Sequence, residues 1–490
     1  MIELLTPREA AIADRAMVAA GTSIATLMQR AGYAIADALA ARAGYGVHIV
    51  VLAGPGDNGG DAFVAAEVLR RRGFAVALVD MSGGKGGEAA TGARREYRGE
   101  VIATDAREID RANFVIDGLF GGGLTRPLEG AFATLVERVN QANAKVLAID
   151  LPSGVDGATG NIAGPAVEAD FTATFERRKP GHLLLPGRAH CGMVGVDSIG
   201  MTSAALAAPS CKTFANDPQL WRSARPRLAL DGHKYSRGHV VIVSGKVAAT
   251  GASRLCASAA LRAGAGLVSL ASPPDALLVN ASHLTTVMLR KIDGPEAFSQ
   301  LLADERLNAV CLGPGLEPDA GTRALAKAAL SSHANVVLDA GALTAFAGDG
   351  SSLAHERKRS VVLTPHEGEF ARLFGRTNDK LADARSAAAK SGAVVVLKGA
   401  DTVVAAPDGR AAINANAPPW LATAGSGDIL AGIVTAQLAQ GMPAFEAACF
   451  GVWLHGEAAN EAGAGMIADD LLPGLRVVRA SLDQRLSEAS

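Results

Sequence analysis

The feature that most constrains this sequence is a repeated alternation of short, wholly apolar runs with amphipathic stretches long enough to form helices. HIVVLAG occupies 48–54, AVALVD 75–80, NFVIDGLFG 113–121 and KVLAIDLP 145–152. The pattern restarts with HVVIVSG at 239–245, GLVSLAS at 266–272, NAVCLGPG at 308–315, NVVLDAG at 335–341, SVVLTP at 360–365 and AVVVLKGA at 393–400. Runs that are apolar on both faces and separated by helix-sized segments predict parallel strands buried between helical layers, an α/β fold. Ahead of the first run, the apolar spacing from Pro7 to Ala43, interrupted at Gly21-Thr22-Ser23, predicts two helices with Ser23 near the second N-cap. Between Met201 and Arg227 the text turns Ala/Ser/Pro-rich and loses its period, which marks a junction. Two α/β domains are expected, over 1–210 and 220–490.

Composition narrows the function classes. Lys plus Arg number 47 against 49 Asp plus Glu, without a block of one sign, which argues against nucleic-acid or anionic-membrane partners. No apolar run reaches the roughly 18–20 residues that span a bilayer, and the acidic start MIELLTPREAAIADRAM does not read as a secretory signal, so a cytoplasmic protein is expected. The five cysteines, Cys191, Cys211, Cys256, Cys311 and Cys449, stand apart, with neither disulfide nor zinc spacing. Glycine is abundant, at 56 of 490 residues, and aromatic residues make up only 4%, a balance suited to glycine turns beside small ligands.

In the first half, the run at 48–54 leads straight into Gly54-Pro55-Gly56-Asp57-Asn58-Gly59-Gly60-Asp61 and then a helical pattern. Such a turn offers backbone N–H groups to an anion, although it is neither GxGxxG nor a P-loop. Asn58 and Asp61 add oxygen atoms suited to a cation or a sugar hydroxyl. Asp117 and Asp150 close two further strands, and Ser153 follows closely. Any one Asp there is as often a turn former, but ligands of open α/β sheets bind beyond the strands' carboxyl ends, where Asn58, Asp117, Asp150 and Ser153 would converge. Oxygen-only donors prefer a hard cation. The loop Gly121-Gly122-Gly123-Leu124-Thr125-Arg126 adds one permanent positive charge, apt for phosphate.

The segments LLTPREAAIADRAM, GPGDNGGD, VIDGLFGGGLTRPLEG, DLPSGVDGATG and FTATFERRKPGHLLLPGRAHCGMVGVDSIG together resemble the NAD(P)H-hydrate epimerase domain over nearly all of residues 1–200. The resemblance implies a doubly wound, Rossmann-like fold in which Asn58, Asp117 and Ser153 hold a potassium ion. It also implies that Asp57, Asn58, Gly59, Gly60, Asp61, Gly121 to Pro127 (Gly121, Gly122, Gly123, Leu124, Thr125, Arg126, Pro127) and Asp150 line the hydrated dinucleotide, with Asp150 handling protons. Where that family reads NNGGDG, this chain has Asp57 first and Ala62 last.

In the second half, Ala422-Thr423-Ala424-Gly425-Ser426-Gly427-Asp428 precedes the apolar stretch ILAGIVTAQLA. A glycine loop opening a helix can stabilise phosphoryl charge while an Asp just inside takes a proton from a hydroxyl, although a capped helix start would read the same. Lys398-Gly399-Ala400-Asp401-Thr402 follows one strand run, and Thr364-Pro365-His366-Glu367-Gly368-Glu369 another. With HKYSRGHVVIVSGKVAATGASRLCASAALRAGAGLVSLASPP and CLGPGL, these segments resemble the NAD(P)H-hydrate dehydratase domain over about 225–480, which implies a ribokinase-like fold. By that resemblance Ala252, Gly315, His366 and Asp428 contact the hydrated dinucleotide, with Asp428 the catalytic base. Lys398, Gly399, Ala400, Asp401, Thr402 and Gly427 contact the adenine nucleotide. The usual GTGD reads GSGD here, and LDADAL reads LDAGAL, with Gly341 in place of a carboxylate.

The expectation is a nicotinamide-nucleotide repair enzyme that interconverts the 6R and 6S hydrates of NADH and NADPH (NADHX and NADPHX). It would then dehydrate the 6S form with ADP and Mg2+, releasing AMP and phosphate. Homo-oligomerisation is expected. A vitamin or sugar kinase, stopping at phosphoryl transfer, and a non-catalytic first half that only docks a nucleotide are the rival readings. His48, His182, His283, His333 and His455 show no interpretable partner spacing and are expected to be structural.

Overall fold

The structure is a computed structural model that describes residues 2–44, 46–124, 126–226, 232–353 and 359–488. The chain divides into two compact units, residues 3–213 and residues 214–490, the second also taking in Ile2. No helix among the described residues is long and apolar enough to cross a membrane.

The first unit is built on a seven-stranded sheet ordered Glu100–Ile102, Ala75–Asp80, His48–Ala53, Phe114–Gly118, Lys145–Ile149, Phe171–Phe175 and Met193–Asp197. All six pairings are parallel. Helices cover both faces: Ile35, Phe63 and Leu69 pack with Val51 and Ile116 on one side, and Leu135, Val136 and Val139 with Val50 and Val115 on the other. This is the doubly wound arrangement expected of strands apolar on both faces. The chain turns from one half of the sheet to the other between His48–Ala53 and Phe114–Gly118, whose register sets Leu52 against Asp117. A crevice therefore opens beyond these two carboxyl ends. The two leading helices are Pro7–Ala19 and Ile24–Ala40; the Ser23 hydroxyl accepts from the Thr26 N–H at 3.1 Å, and Thr6 with Glu9 forms a capping box.

The second unit has a ten-stranded sheet. Its parallel part runs Met288–Lys291, Leu267–Ser272, His239–Val243, Ala309–Leu312, Asn335–Leu338, Val361–Leu363 and Val394–Leu397. Val403–Ala405 and Ala411–Ile413 extend it antiparallel, and Thr213–Ala215 lies at the edge. Helices Thr250–Arg262, Ser426–Ala439 and Ala444–Ala462 pack on one face around Trp221, Phe445 and Phe450. Every residue from Ile429 to Ala439 is buried, so the glycine loop that opens this helix is anchored by the core itself. The aperiodic stretch read as a junction holds Trp221, fully buried with its ring 4.7 Å from that of Phe450.

Candidate functional site

At the crevice of the first unit, glycines let backbone meet backbone. A Cβ on Gly54 would stand 1.7 Å from the Leu119 carbonyl oxygen, and one on Gly59 would stand 2.0 Å from the Gly54 carbonyl oxygen. Gly60 faces Met28 at 2.5 Å, so Gly59 and Gly60 serve the turn and helix packing. Helix Asp57–Arg71 begins after Gly56 without a side-chain cap, which leaves its first N–H groups directed at the cavity mouth. Ala62, the departure from the usual glycine, fits because it lies against Gly118, whose added Cβ would stand 2.5 Å away.

A cavity of ≈ 600 Å³ fills this crevice, lined by Asp14, Asp57, Asn58, Asp61, Gly121, Gly122, Gly123, Leu124, Arg126, Asp150 and Lys179 among others. Pro127 is exposed and outside the lining, and Thr125 lies outside the described residues. Asp150 is the best-held carboxylate. It sits in the left-handed region at φ 65°, its Oδ1 accepts from the Thr174 hydroxyl at 2.8 Å, and Lys179 Nζ is bound to the same oxygen. Oδ2 stands 3.5 Å and 3.6 Å from the Cβ positions of Gly121 and Gly122, so it lies against this glycine loop. Burial works against ionisation of Asp150, but Lys179, His182 and Thr174 outweigh it and hold the carboxyl below its ordinary range.

His182 is buried, and its position is informative. Its Nδ1 accepts from the Lys179 N–H at 2.8 Å, so the proton sits on Nε2, which donates to the Asp150 carbonyl at 2.7 Å. Burial first, then Lys179, push its pKa down to about 4, so it is neutral and fixes both the lysine and Asp150. Lys179, Thr174, His182 and Asp14 were not singled out as site residues from sequence. Lys179 lies within the FERRKPGH segment, but no spacing rule shows that it reaches back to Asp150.

Asp117, near the end of strand Phe114–Gly118, and Ser153 meet each other, behind rather than in the cavity lining that holds Asn58 and Asp150. Ser153 donates through Oγ at 2.7 Å and through its N–H at 2.8 Å to the two carboxylate oxygens, and the Leu119 N–H adds a third bond at 3.2 Å. None of these donors is charged. Burial pushes the Asp117 carboxyl up to about 6 despite them. The Asn58 Oδ1 lies 3.1 Å from the Cβ position of Gly121, which Asp150 Oδ2 also faces, while the buried Nδ2 of Asn58 has no partner among the described residues. A buried carboxylate without a cationic side chain, next to amide and hydroxyl oxygens, is the donor set that a monovalent cation would complete.

The second unit repeats the principle. Gly313 lies at φ 129° and a Cβ there would stand 1.7 Å from the Asp339 carbonyl oxygen. Asp339, fully buried at its strand end, accepts at Oδ1 from the Thr364 hydroxyl and from Lys398 Nζ, both at 2.8 Å. Lys398 Nζ also stands 3.3 Å from the Cβ position of Gly427. Asp428, in the first turn of helix Ser426–Ala439, therefore faces a lysine and a second carboxylate. Burial first, then Asp339, raise it to about 6 against the pull of Lys398. Gly425 at φ 86° caps this helix in the left-handed region. Gly315 brings its Cα face to Ala252, 3.6 Å from the Cβ position, so these two belong to one wall.

Other predicted residues have structural duties. His366 caps helix Glu367–Phe374, accepting from the Gly368 and Glu369 N–H groups at 3.0 and 3.3 Å. Asp401 is buried and ion-paired with Lys380, and Thr402 exchanges hydrogen bonds with Gly399. Gly399 has the Lys380 ammonium 2.4 Å from its Cβ position, so a side chain there would displace that lysine from Asp401, and Ala400 sits at the exposed tip of the turn. At Gly341, a Cβ would meet the Leu316 carbonyl oxygen at 1.9 Å, which leaves no room for the usual carboxylate.

Known proteins agree with this two-part architecture. Residues 240–474 match the NAD(P)H-hydrate dehydratase family, and residues 24–181 match the family described as YjeF-related protein N-terminus. The bifunctional NAD(P)H-hydrate repair enzyme of Thermofilum pendens is 37% identical over 466 residues, 89% of this chain and 87% of that one. Its counterpart in Escherichia coli is 32% identical over 487 residues, 96% and 92% of the two chains. Among solved structures, the ADP/ATP-dependent NAD(P)H-hydrate dehydratase of Bacillus subtilis co-crystallised with ATP/Mg2+ aligns with a TM-score of 0.48 and 26% identity, covering 55% of this chain and 98% of that one. With both parts matched in order and relatives aligned over most of its length, the chain belongs to the family of bifunctional NAD(P)H-hydrate repair enzymes.

Proposed function

We propose that the first unit interconverts the 6R and 6S hydrates of NADH and NADPH and that the second dehydrates the 6S hydrate with ADP. The observation that carries this reading is Asp428, a carboxyl raised to about 6 at an amide-rich helix start beside Lys398. A base of that strength is matched to removing a hydroxyl proton near neutrality. In the second unit Asp428 takes the C6 hydroxyl proton as that oxygen bonds to the β-phosphorus of ADP, and AMP leaves. The ring nitrogen lone pair then expels phosphate from C6, a proton is lost from C5, and the C5–C6 double bond returns. Lys398 and the amides of Gly425 to Gly427 offset phosphoryl charge. Magnesium would arrive on the nucleotide phosphates, with Asp339 and Asp428 the hard oxygen donors nearest this loop. In the first unit Asp57 to Asp61, Gly121 to Pro127 and Asp150 receive the dinucleotide, and Asn58, Asp117 and Ser153 hold potassium, which would supply the positive charge that Asp117 lacks. The near-neutral composition suits a cytoplasmic enzyme of small molecules.

On a mixture of both epimers with ADP, the wild-type chain should recover all of the reduced nicotinamide. Asp428→Asn should slow dehydration about 10²- to 10⁴-fold and leave epimerisation intact. Asp150→Asn should recover the 6S share and then stall. Chiral chromatography of the residual hydrate decides, and near-wild-type dehydration by Asp428→Asn contradicts the assignment.

The charge arrangement around Asp428 sets the acid limb of dehydration. Asp339 raises the Asp428 pKa, so Asp339→Asn should move that limb of kcat/KM to lower pH. Lys398 lowers it, so Lys398→Met should move the limb to higher pH. Shifts of the same sign in both variants contradict the arrangement.

Asp117 predicts a specific ion effect on stability. Its folded pKa, about 6, lies above the ordinary value of 3.8, so its contribution favours the fold at low pH and is lost as pH rises through about 6. Potassium binds the ionised form, so adding KCl should raise Tm more at about pH 7.5 than at about pH 5. Asp117→Asn should abolish the difference between KCl and LiCl. A KCl-over-LiCl difference in that variant as large as in the wild type, read by thermal melting without substrate, counts against a potassium site.

A further inference from the structure

The reaction proposed for the first unit needs two proton carriers, and the cavity holds two carboxyls in opposite settings. We propose that Asp61 is the acid that protonates the departing C6 hydroxyl, working against Asp150 as the base; this rests on the epimerase reading above. Asp61 lies one turn beyond Asp57 on helix Asp57–Arg71 and lines the same cavity as Asp150. Asp150 has Thr174 and Lys179 on Oδ1 and keeps Oδ2 open beside Gly121. Asp61 makes no hydrogen bond or ion pair among the described residues.

The charges facing Asp61 are all of its own sign: Asp14 from helix Pro7–Ala19, Asp57 from its own helix and Asp150 from the loop after Lys145–Ile149. The cavity's cations are engaged or exposed to solvent. Lys179 is bound to Asp150, Arg177 pairs with Glu3 at 3.0 Å, and Arg126 is exposed. Glu176, the remaining acid in the lining, accepts from Ser198 and from the Ile199 and Met201 N–H groups. Burial first, and then the neighbouring carboxylates, favour the protonated form of this unpartnered carboxyl; its pKa stands well above the ordinary value while that of Asp150 stands below.

The step balances. The ring N1 lone pair forms a C6=N1 bond as the C6–O bond breaks, and the hydroxyl leaves as water with the Asp61 proton. Water then adds to the opposite face of C6, the C6=N1 pair returns to nitrogen, and the water's proton passes to a carboxylate. Asp150 Oδ2 serves one face and Asp61 the other. In the reverse direction they exchange roles, as an epimerase requires.

The test uses the full chain and purified 6R hydrate without ADP, following appearance of the 6S form by chromatography across pH. Wild type should lose kcat on the alkaline side as Asp61 ionises. Asp61→Asn should lower kcat at least about 100-fold, with KM changed far less, and the remaining rate should lack the alkaline limb. Asp61→Glu should restore part of the rate and the limb. Dehydration of pure 6S hydrate with ADP, carried out by the other unit, should be unchanged in both variants and shows that the chain is folded. A wild-type rate in Asp61→Asn, or a reduced rate with the alkaline limb intact, overturns the role of Asp61. Failure of the wild-type chain to interconvert the epimers overturns the epimerase reading itself.

Discussion

A carboxylate buried at the carboxyl end of a parallel strand must acquire positive charge or a proton, because desolvation of an unpaired ion costs several kcal/mol. Both units are organised around this constraint. Asp150 meets it with Lys179, whose own position depends on His182, and Asp339 meets it with Lys398 and Thr364. Asp117 has only neutral donors and is left near 6. What each arrangement leaves unneutralised is a carboxyl raised toward neutrality: Asp117, with no cationic partner, and Asp428, raised by burial and by the same Asp339 that Lys398 neutralises.

These charges are brought to the switch point by close backbone approach. Gly54 against Leu119 and Gly313 against Asp339 each put a Cβ position 1.7 Å from a carbonyl oxygen. No side chain of any kind fits, so the turns bring main-chain amides, rather than side chains, toward the ligand space. The same steric rule explains two departures from the family pattern. Ala62 is accommodated by the missing side chain of Gly118, and Gly341 is required by the Leu316 carbonyl.

Much of this was legible in the sequence because period and punctuation are local properties. Strands apolar on both faces announced parallel sheets, Ser23 announced a helix start, glycine turns at strand ends marked the places where Asn58, Asp117 and Ser153 lie, and a glycine loop opening an apolar helix marked Asp428. Short or polar strands were missed: Glu100–Ile102, Phe171–Phe175, Met193–Asp197, Thr213–Ala215, Met288–Lys291, Val403–Ala405 and Ala411–Ile413 either alternate, carry charge or span too few residues to show a period. The partners of the key carboxylates were also invisible. Lys179 lies 29 residues from Asp150 and Lys398 lies 59 from Asp339, separations that only the sheet order converts into contact. Likewise His182 reads as an isolated histidine until Asp150 and Lys179 are seen on either side of it.

In the proposed division of labour the first site converts a hydrate that the second cannot use into one that it can, and the second consumes ADP in dehydrating it. The most direct measurement follows phosphate, AMP and reduced nicotinamide together, starting from pure 6R hydrate and ADP under conditions where spontaneous epimerisation is slow. All three should appear in equal amounts and the hydrate should be exhausted. Accumulation of a stable phosphorylated dinucleotide, with AMP formed but neither phosphate nor reduced nicotinamide released, would contradict this division of labour.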